Sequence, residues 1–234
     1  MSLAILTEPQ DFIRANTRLQ RPPLIPEIQL HLASEVVPLW QATEEELAKV
    51  GLPPPFWAFA WAGGQALARY LLDHPAVVRG KRVLDFAAGS GVQGIAARLA
   101  GAASVEAVEI DPFACAACRL NAQANGTEIA VREDDLVGCA NPGWDVVLAG
   151  DVCYERPAAE KITAWLRSLA DPRCLVLMGD PGRTYLPRGG LERVTGYAVK
   201  TTRELEDSDL RNAVVWKVAA AEGAEQPAEE DATR

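Results

Sequence analysis

From residue 81 onward the chain alternates two kinds of apolar pattern. Short runs rich in Val, Ile and Leu (KRVLDFA, SVEAVEI, EIAVRE, WDVVLAGD and CLVLMGD) have the length and composition of buried strands. Between them lie VQGIAARLAG, PFACAACRLNAQANG and KITAWLRSLA, whose small and apolar residues recur at helical spacing. Strands followed by helices imply a parallel sheet wound in both directions. The last two apolar runs, VTGYAVKTTREL and NAVVWKVAA, have no helical segment between them and are expected to pair antiparallel.

The first eighty residues read differently, as helical and irregular. Thr7 and Gln10 have capping-box spacing before DFIRANTRL, and RPPLIPEI interrupts the chain. Thr43 and Glu46 make a second such box ahead of EEELAKV, closed by Gly51. The aromatic stretch LPPPFWAFAWAGG is expected to be a loop feeding the helix GQALARYLLDH, which Pro75 ends. Three regions follow: an extension over 1–80 packed on the domain, an α/β domain over 81–218, and an acidic, apolar-poor tail over 219–234 expected to be disordered.

Composition narrows the chemistry. At 234 residues and 49% hydrophobic, the chain can bury one sizeable core. No apolar run is long enough for a membrane span, and the beginning lacks a secretory pattern, so a cytoplasmic monomer is expected. A net charge of −9 disfavours nucleic acid as partner and suits a substrate carrying positive charge. The five cysteines include a Cys115–Cys118 CxxC, but it falls inside an Ala-rich helix, where Cys acts as a small apolar residue. With His31 and His74 as the two histidines, a His-based triad is disfavoured and no metal is expected.

The turn after the first strand, DFAAGSGVQG, carries Gly89, Gly91 and Gly94 as G-x-G-x-x-G, a Rossmann-like fingerprint shared by dinucleotide and S-adenosyl-L-methionine enzymes. Asp85 separates the two. A pyrophosphate over this turn would be repelled by a carboxylate, whereas adenosylmethionine brings an ammonium and a sulfonium. Asp85 is therefore expected to meet the cationic tail, with Ala87, Gly89 and Gly91 beside it; capping the following turn is its alternative role, and the two can coexist. Glu109 ends the second strand, eighteen residues after Gly91, where an acidic residue accepts ribose hydroxyls; Ile110 follows it in the same crevice. Asp111 reads as an N-cap before Pro112. Asp134 and Asp135 are candidates for the adenine amino group, a solvated turn being the alternative.

Asp151 ends the fourth strand and Tyr154 follows three residues later, at the sheet edge where open α/β folds bind ligands. Both are candidates for holding a methyl acceptor. Methyl transfer to nitrogen needs a lone pair and correct geometry. A lysine amine has a reference pKa of about 10.4, and a desolvated aromatic pocket lowers it while a carboxylate raises it. Asp151 thus reads as orienting the amine rather than as a strong base, with Tyr154 offering an aromatic face and a hydroxyl. Trp57, Trp61 and Gln65, flanking Gly63 and Gly64, read as core or as a cofactor lid or acceptor wall.

Over residues 25–217 the chain resembles the lysine methyltransferases that modify the beta subunit of electron transfer flavoprotein. The resemblance is carried by PEIQLHL (26–32), FWAFAWAGGQALARYLLDHPAVVRGKRVLD, LAGDVCYE, GDPGRTYLP and TTRELEDSDLRNAVVWKV. It implies that Asp85, Gly89, Gly91 and Glu109 bind cofactor, that Asp151 and Tyr154 face the substrate lysine, and that the flavoprotein subunit is the partner. Cys153 stands where the family often has an aromatic residue, and Glu109 where Asp is frequent. The competing readings are a methyltransferase for a ribosomal protein or a small, nicotinamide-like amine, and an NAD-dependent oxidoreductase.

Overall fold

A computed structural model describes residues 8–33, 54–201 and 209–221. Helix α1 (Pro9–Asn16) leads into a small antiparallel hairpin of β1 (Arg18–Gln20) and β2 (Leu30–Leu32). Helix α2 (Ala62–Asp73) follows, and then the alternating unit: β3 (Arg82–Phe86), α3 (Val92–Leu99), β4 (Ser104–Glu109), α4 (Pro112–Ala124), β5 (Ala130–Glu133), β6 (Val146–Gly150), α5 (Arg156–Leu169) and β7 (Leu175–Asp180). Strands β8 (Leu191–Lys200) and β9 (Leu210–Val218) close the fold.

The main sheet has seven strands in the order β5-β4-β3-β6-β7-β9-β8. Strands β3 to β7 are parallel; β9 runs antiparallel to both β7 and β8. The order reverses direction between β3 and β6, so the carboxyl ends of those neighbours open the crevice expected of a doubly wound sheet. Among the described residues no helix is long and apolar enough to cross a membrane.

Period-two alternation sorts each strand between two cores. Val83, Val146, Leu148 and Leu177 pack with Leu67 and Leu71 of α2 and Ile95 of α3 on one face. Leu84, Phe86, Val147, Ala149 and Met178 pack with Trp165 and Leu166 of α5 on the other. Full burial of a side chain such as Leu84 contributes about 2 kcal/mol. Helix α4 starts as the sequence indicates: Pro112 sits in the first turn and Asp111 accepts the Phe113 N–H at 2.8 Å. Cys115 and Cys118 are buried and free on this helix, and no group of potential metal ligands occurs among the described residues.

The extension is fastened to this framework by two asparagines of the α4 end. The Gln29 N–H donates to Asn125 Oδ1 at 2.9 Å, and Asn125 Nδ2 returns a bond to the Gln29 carbonyl at 2.7 Å. Asn121, fully buried, accepts the His31 N–H at 2.7 Å and donates to the Ser90 carbonyl at 2.8 Å. This explains the PEIQLHL segment: Ile28 and Leu30 enter the core while the alternate backbone groups find Asn121 and Asn125. Helix α1 begins at Pro9 with Glu8 as an N-cap lacking a side-chain cap bond; Thr7, the Thr43–Glu46 box, Gly51 and all but the first three residues of the acidic tail lie outside the described residues.

Candidate active site

The glycine turn lies between β3 and α3. Gly89 and Gly91 have φ of 53° and 76°, and Ala87 shares that left-handed region at 50°, an uncommon state for a residue with a Cβ. Asp85 lies beneath the turn, fully buried. Its Oδ2 accepts the Gly94 N–H at 2.8 Å and its Oδ1 accepts from Gln93 Nε2 at 3.1 Å. The turn-capping role open to Asp85 is thus the one these bonds display. Alternation along β3 puts Asp85 on the same face as Val83, toward α3, so its carboxyl group anchors the helix start.

Glu109 is the carboxylate at the crevice surface. It is partly exposed, with Oε1 accepting the Gly89 N–H at 2.7 Å and Oε2 the Ile110 N–H at 3.1 Å. The Gly89 bond spans from β4 to the turn of β3 and fixes the two strand ends together. Ile110 is 72% exposed, an apolar surface at the crevice mouth. Asp134 pairs with Arg132 at 3.3 Å, and Asp135 accepts the Val137 N–H at 3.0 Å. Both aspartates are exposed and serve the turn after β5; the geometry brings neither forward over the other.

A second cluster lies at the ends of β6 and β7. Asp151 also has positive φ, 57°, while its N–H donates to the Gly179 carbonyl at 2.9 Å. Its carboxylate is 9% exposed as a residue and held on both sides. Oδ2 accepts the Gly64 N–H at 2.8 Å, with the Gly63 N–H adding to it, and Oδ1 accepts Nη2 and Nε of Arg183 at 2.7 and 3.2 Å. The Arg183 guanidinium also lies 5.4 Å from the Trp61 ring centroid. Around this pair stands an aromatic group: Tyr154 against Phe56 at 5.4 Å, and Trp61 against Phe56 and Phe59 at 6.2 and 5.9 Å. Tyr154 and Phe56 are 54% and 44% exposed, so the group has an open side.

Burial dominates the electrostatics. The carboxyls of Asp85, Glu109, Asp151 and Asp180 are all pushed above their ordinary values, first by desolvation; Arg183 pulls Asp151 the other way without reversing it. A carboxyl raised in the fold holds its proton more tightly than in the unfolded chain. The stability it contributes is present below the ordinary carboxylate range and is lost as pH rises through the folded value. The ligand-free protein is therefore expected to melt at lower temperature at about pH 8 than at about pH 5, just above the ordinary carboxylate range. Thermal melts at the two values check this. His31, depressed by burial, works in the opposite sense below its ordinary value of 6.5; a melting temperature that rises toward pH 8 would mean the carboxyls do not set the balance.

The comparisons with known proteins follow from this arrangement. A family model described as ribosomal protein L11 methyltransferase matches residues 65–150. The electron transfer flavoprotein beta subunit lysine methyltransferase of Danio rerio is 36% identical over 215 residues, covering 89% of this chain and 82% of that protein. Its counterpart from Xenopus laevis is 37% identical over 216 residues, covering 90% and 87%. The chain belongs to the electron transfer flavoprotein beta subunit lysine methyltransferase family. It is a methyltransferase, as its sheet order accords. Among solved structures, the magnesium protoporphyrin IX methyltransferase of Synechocystis PCC 6803 with bound SAH matches with a TM-score of 0.49 and 18% identity, over 66% of this chain and 80% of that one.

Within this family member the sequence-derived residues fall into two groups. Ala87, Gly89, Gly91, Glu109 and Ile110 gather at the glycine turn; Asp151, Tyr154 and Trp61 gather at the aromatic group. Trp57 is buried against Ile13 and Phe113, and Gln65 is buried with its Nε2 on the Ala60 carbonyl at 2.6 Å, so both are core. Gly63 and Gly64 belong to the first turn of α2, not to a loop. They let that turn approach β6 and β7: a Cβ on Gly63 would sit 2.7 Å from Asp151 Oδ2, and one on Gly150 would sit 3.0 Å from the Gly64 N. Sequence reading missed Arg183 and Phe56. The GDPGR segment singled out for the resemblance was the available signal for Arg183.

Proposed function

We propose that the chain transfers the methyl group of S-adenosyl-L-methionine to lysine side chains on the beta subunit of electron transfer flavoprotein. The observation that carries the cofactor assignment is the Asp85–Gly94 bond. One N–H of the first helical turn, that of Gly94, is taken by the protein's own buried carboxyl group, which occupies part of the end that an anionic pyrophosphate would use. Two carboxyl groups, Asp85 and Glu109, at this end of the crevice suit a hydrogen-bond donor such as the ammonium of an amino-acid end and disfavour a pyrophosphate, against the NAD alternative. The residues fit adenosylmethionine: Glu109, braced by the Gly89 and Ile110 amides, would hold the ribose hydroxyls, and Ile110 would cover the adenine. Asp134 or Asp135 would serve its amino group. When bound, the cofactor supplies a methyl carbon already activated by a sulfonium.

Phe56, Trp61 and Tyr154 would flank the aliphatic stem of a lysine and exclude water from its amine. The ammonium must shed its proton to solvent before its nitrogen has a lone pair to offer. Asp151, fixed by α2 amides and Arg183, would orient that nitrogen as a fixed polar wall of the pocket. Tyr154, whose hydroxyl proton burial holds more firmly, would remain a neutral phenol and a hydrogen-bonding partner. The net charge of −9 favours approach of a basic protein surface. We place the reaction in the cytoplasm and on a monomer.

Incubation of the purified chain with adenosylmethionine carrying a labelled methyl group tests the reading. Label is expected in lysines of the purified flavoprotein beta subunit. Label appearing instead in ribosomal protein L11 or in a nicotinamide-like amine, with none in the subunit, would reassign the acceptor.

A further inference from the structure

The segment after β7 is packed into the acceptor site more tightly than a connecting turn requires. Asp180, fully buried, accepts the N–H groups of Gly182 and Arg183 on one oxygen, each at 2.7 Å. Gly182 supplies the positive φ, 86°, that folds the turn back. The result aims the Arg183 side chain across to β6, where two of its N–H groups meet Asp151 Oδ1 and its flat face lies by Trp61. Parallel pairing of Gly150 with Gly179 sets the two strand ends level and makes this reach possible. The side chains of Arg183 and Asp151 are 18% and 10% exposed, so the pair is shielded.

A bare Asp151 carboxylate at that position would work against methyl transfer. It would bind a lysine as the ammonium, and a nitrogen without a lone pair cannot attack. The charged and titratable groups acting on this spot are Asp151 itself, Asp180 from β7, Glu109 from β4, Glu155, and the Tyr154 and Cys153 side chains from the turn after β6. Four of these carry or can carry negative charge as carboxylates, and Arg183 supplies the opposing cation. Resting on the lysine reading above, we propose that Arg183 is a positioning residue for methyl transfer. It holds the Asp151 carboxylate in one orientation and offsets its charge, so that the acceptor amine beside it gives up its proton more readily.

The reaction this serves balances without a further co-reactant. The amine proton leaves to water, the nitrogen lone pair forms the new N–C bond, and the C–S bond breaks with its electrons retained by sulfur as the neutral thioether. Arg183 takes no part in bond making. Its effect is on how much of the amine is neutral at a given pH and on where Asp151 points.

The test compares wild type with Arg183→Gln and Arg183→Lys. Rates of label transfer are measured across pH, alongside the affinity for adenosylhomocysteine and the melting temperature. Arg183→Gln is expected to move the ascending limb of the rate profile upward by about one pH unit, the low end of what a charge 4–6 Å away shifts. Arg183→Lys is expected to keep the limb near its wild-type position while lowering the maximal rate about tenfold, because a point charge lacks the planar fork. Adenosylhomocysteine affinity should stay within about twofold in both, since the fork acts on the acceptor side. An unshifted limb in Arg183→Gln overturns the proposal, as does a fall in rate that tracks lost adenosylhomocysteine affinity. The profile is read on whichever acceptor takes label from wild type. A flavoprotein subunit that takes none removes the substrate assignment, while the shift on another amine acceptor still decides the role of Arg183.

Discussion

Asp151→Ala is expected to lower the initial rate of methyl transfer at saturating adenosylmethionine by about a hundredfold or more, the cost of losing an orienting group in the reacting site. Two physical losses combine. The Arg183 fork and the Gly64 N–H lose their shared acceptor, and breaking a shielded pair of this kind costs about 3 kcal/mol. Alanine must also adopt the φ of 57° that Asp151 occupies, and Asp or Asn tolerates that region better. Asp151→Asn separates the two effects. It keeps shape and backbone tolerance, but its NH₂ group must face a donor, either Arg183 or the α2 amides. We expect it to melt closer to wild type while remaining strongly impaired in transfer. An alanine variant that labels acceptor at near wild-type rate would remove Asp151 from the site.

Gly63→Ala is expected to be the most damaging single change to the fold. The added Cβ would press on the Gly179 carbonyl group, 2.6 Å from its carbon, and would stand 2.7 Å from Asp151 Oδ2. Neither neighbour can yield: one is backbone in β7 and the other is a carboxylate held from two sides. Overpacking of this kind costs about 3 kcal/mol, and here it also pushes on the acceptor site. Chemical denaturation compared with Gly189→Ala checks it, since nothing lies within 4 Å of a Cβ at Gly189. That control should stay within about 0.5 kcal/mol of wild type. Equal midpoints for the two variants would mean that α2 can slide on β7 and that the close contact is not required.

The alternation of strands and helices was legible because buried parallel strands need unbroken apolar runs and the helices between them need a stripe. The ends of β3, β4 and β6 were legible for a related reason: charged residues terminate apolar runs, and in an open sheet those ends face the ligand crevice. That reasoning located Asp85, Glu109 and Asp151 together. The alternative role for Asp85, capping the following turn, is the one that the fold displays. Val83 and Asp85 share a face by alternation, and that face is the one covered by α3. The loop assigned to WAGG was a helix start because paired glycines signal a turn locally, while their use here, a close crossing over Gly179, depends on a strand more than a hundred residues later. The contact made by Arg183 was not legible for the same reason, and its segment stood out through the resemblance alone. Its partner is set by the register of β6 on β7, and register is a property of the assembled sheet. Asp134 and Asp135 stay unresolved in both readings, because one pairs with Arg132 and the other accepts the Val137 N–H, and neither bond favours one over the other.

The Asn121 side chain gives the first thirty-odd residues a different standing. One of its bonds belongs to the β2 backbone and the other to the middle residue of the Gly89–Gly91 turn. The stretch that reads as an appendage is thus part of the foundation on which the glycine turn is laid. Trimming the chain back to its alternating core would strip a buried amide of its partner and loosen the turn from below, with every residue of the crevice wall still in place.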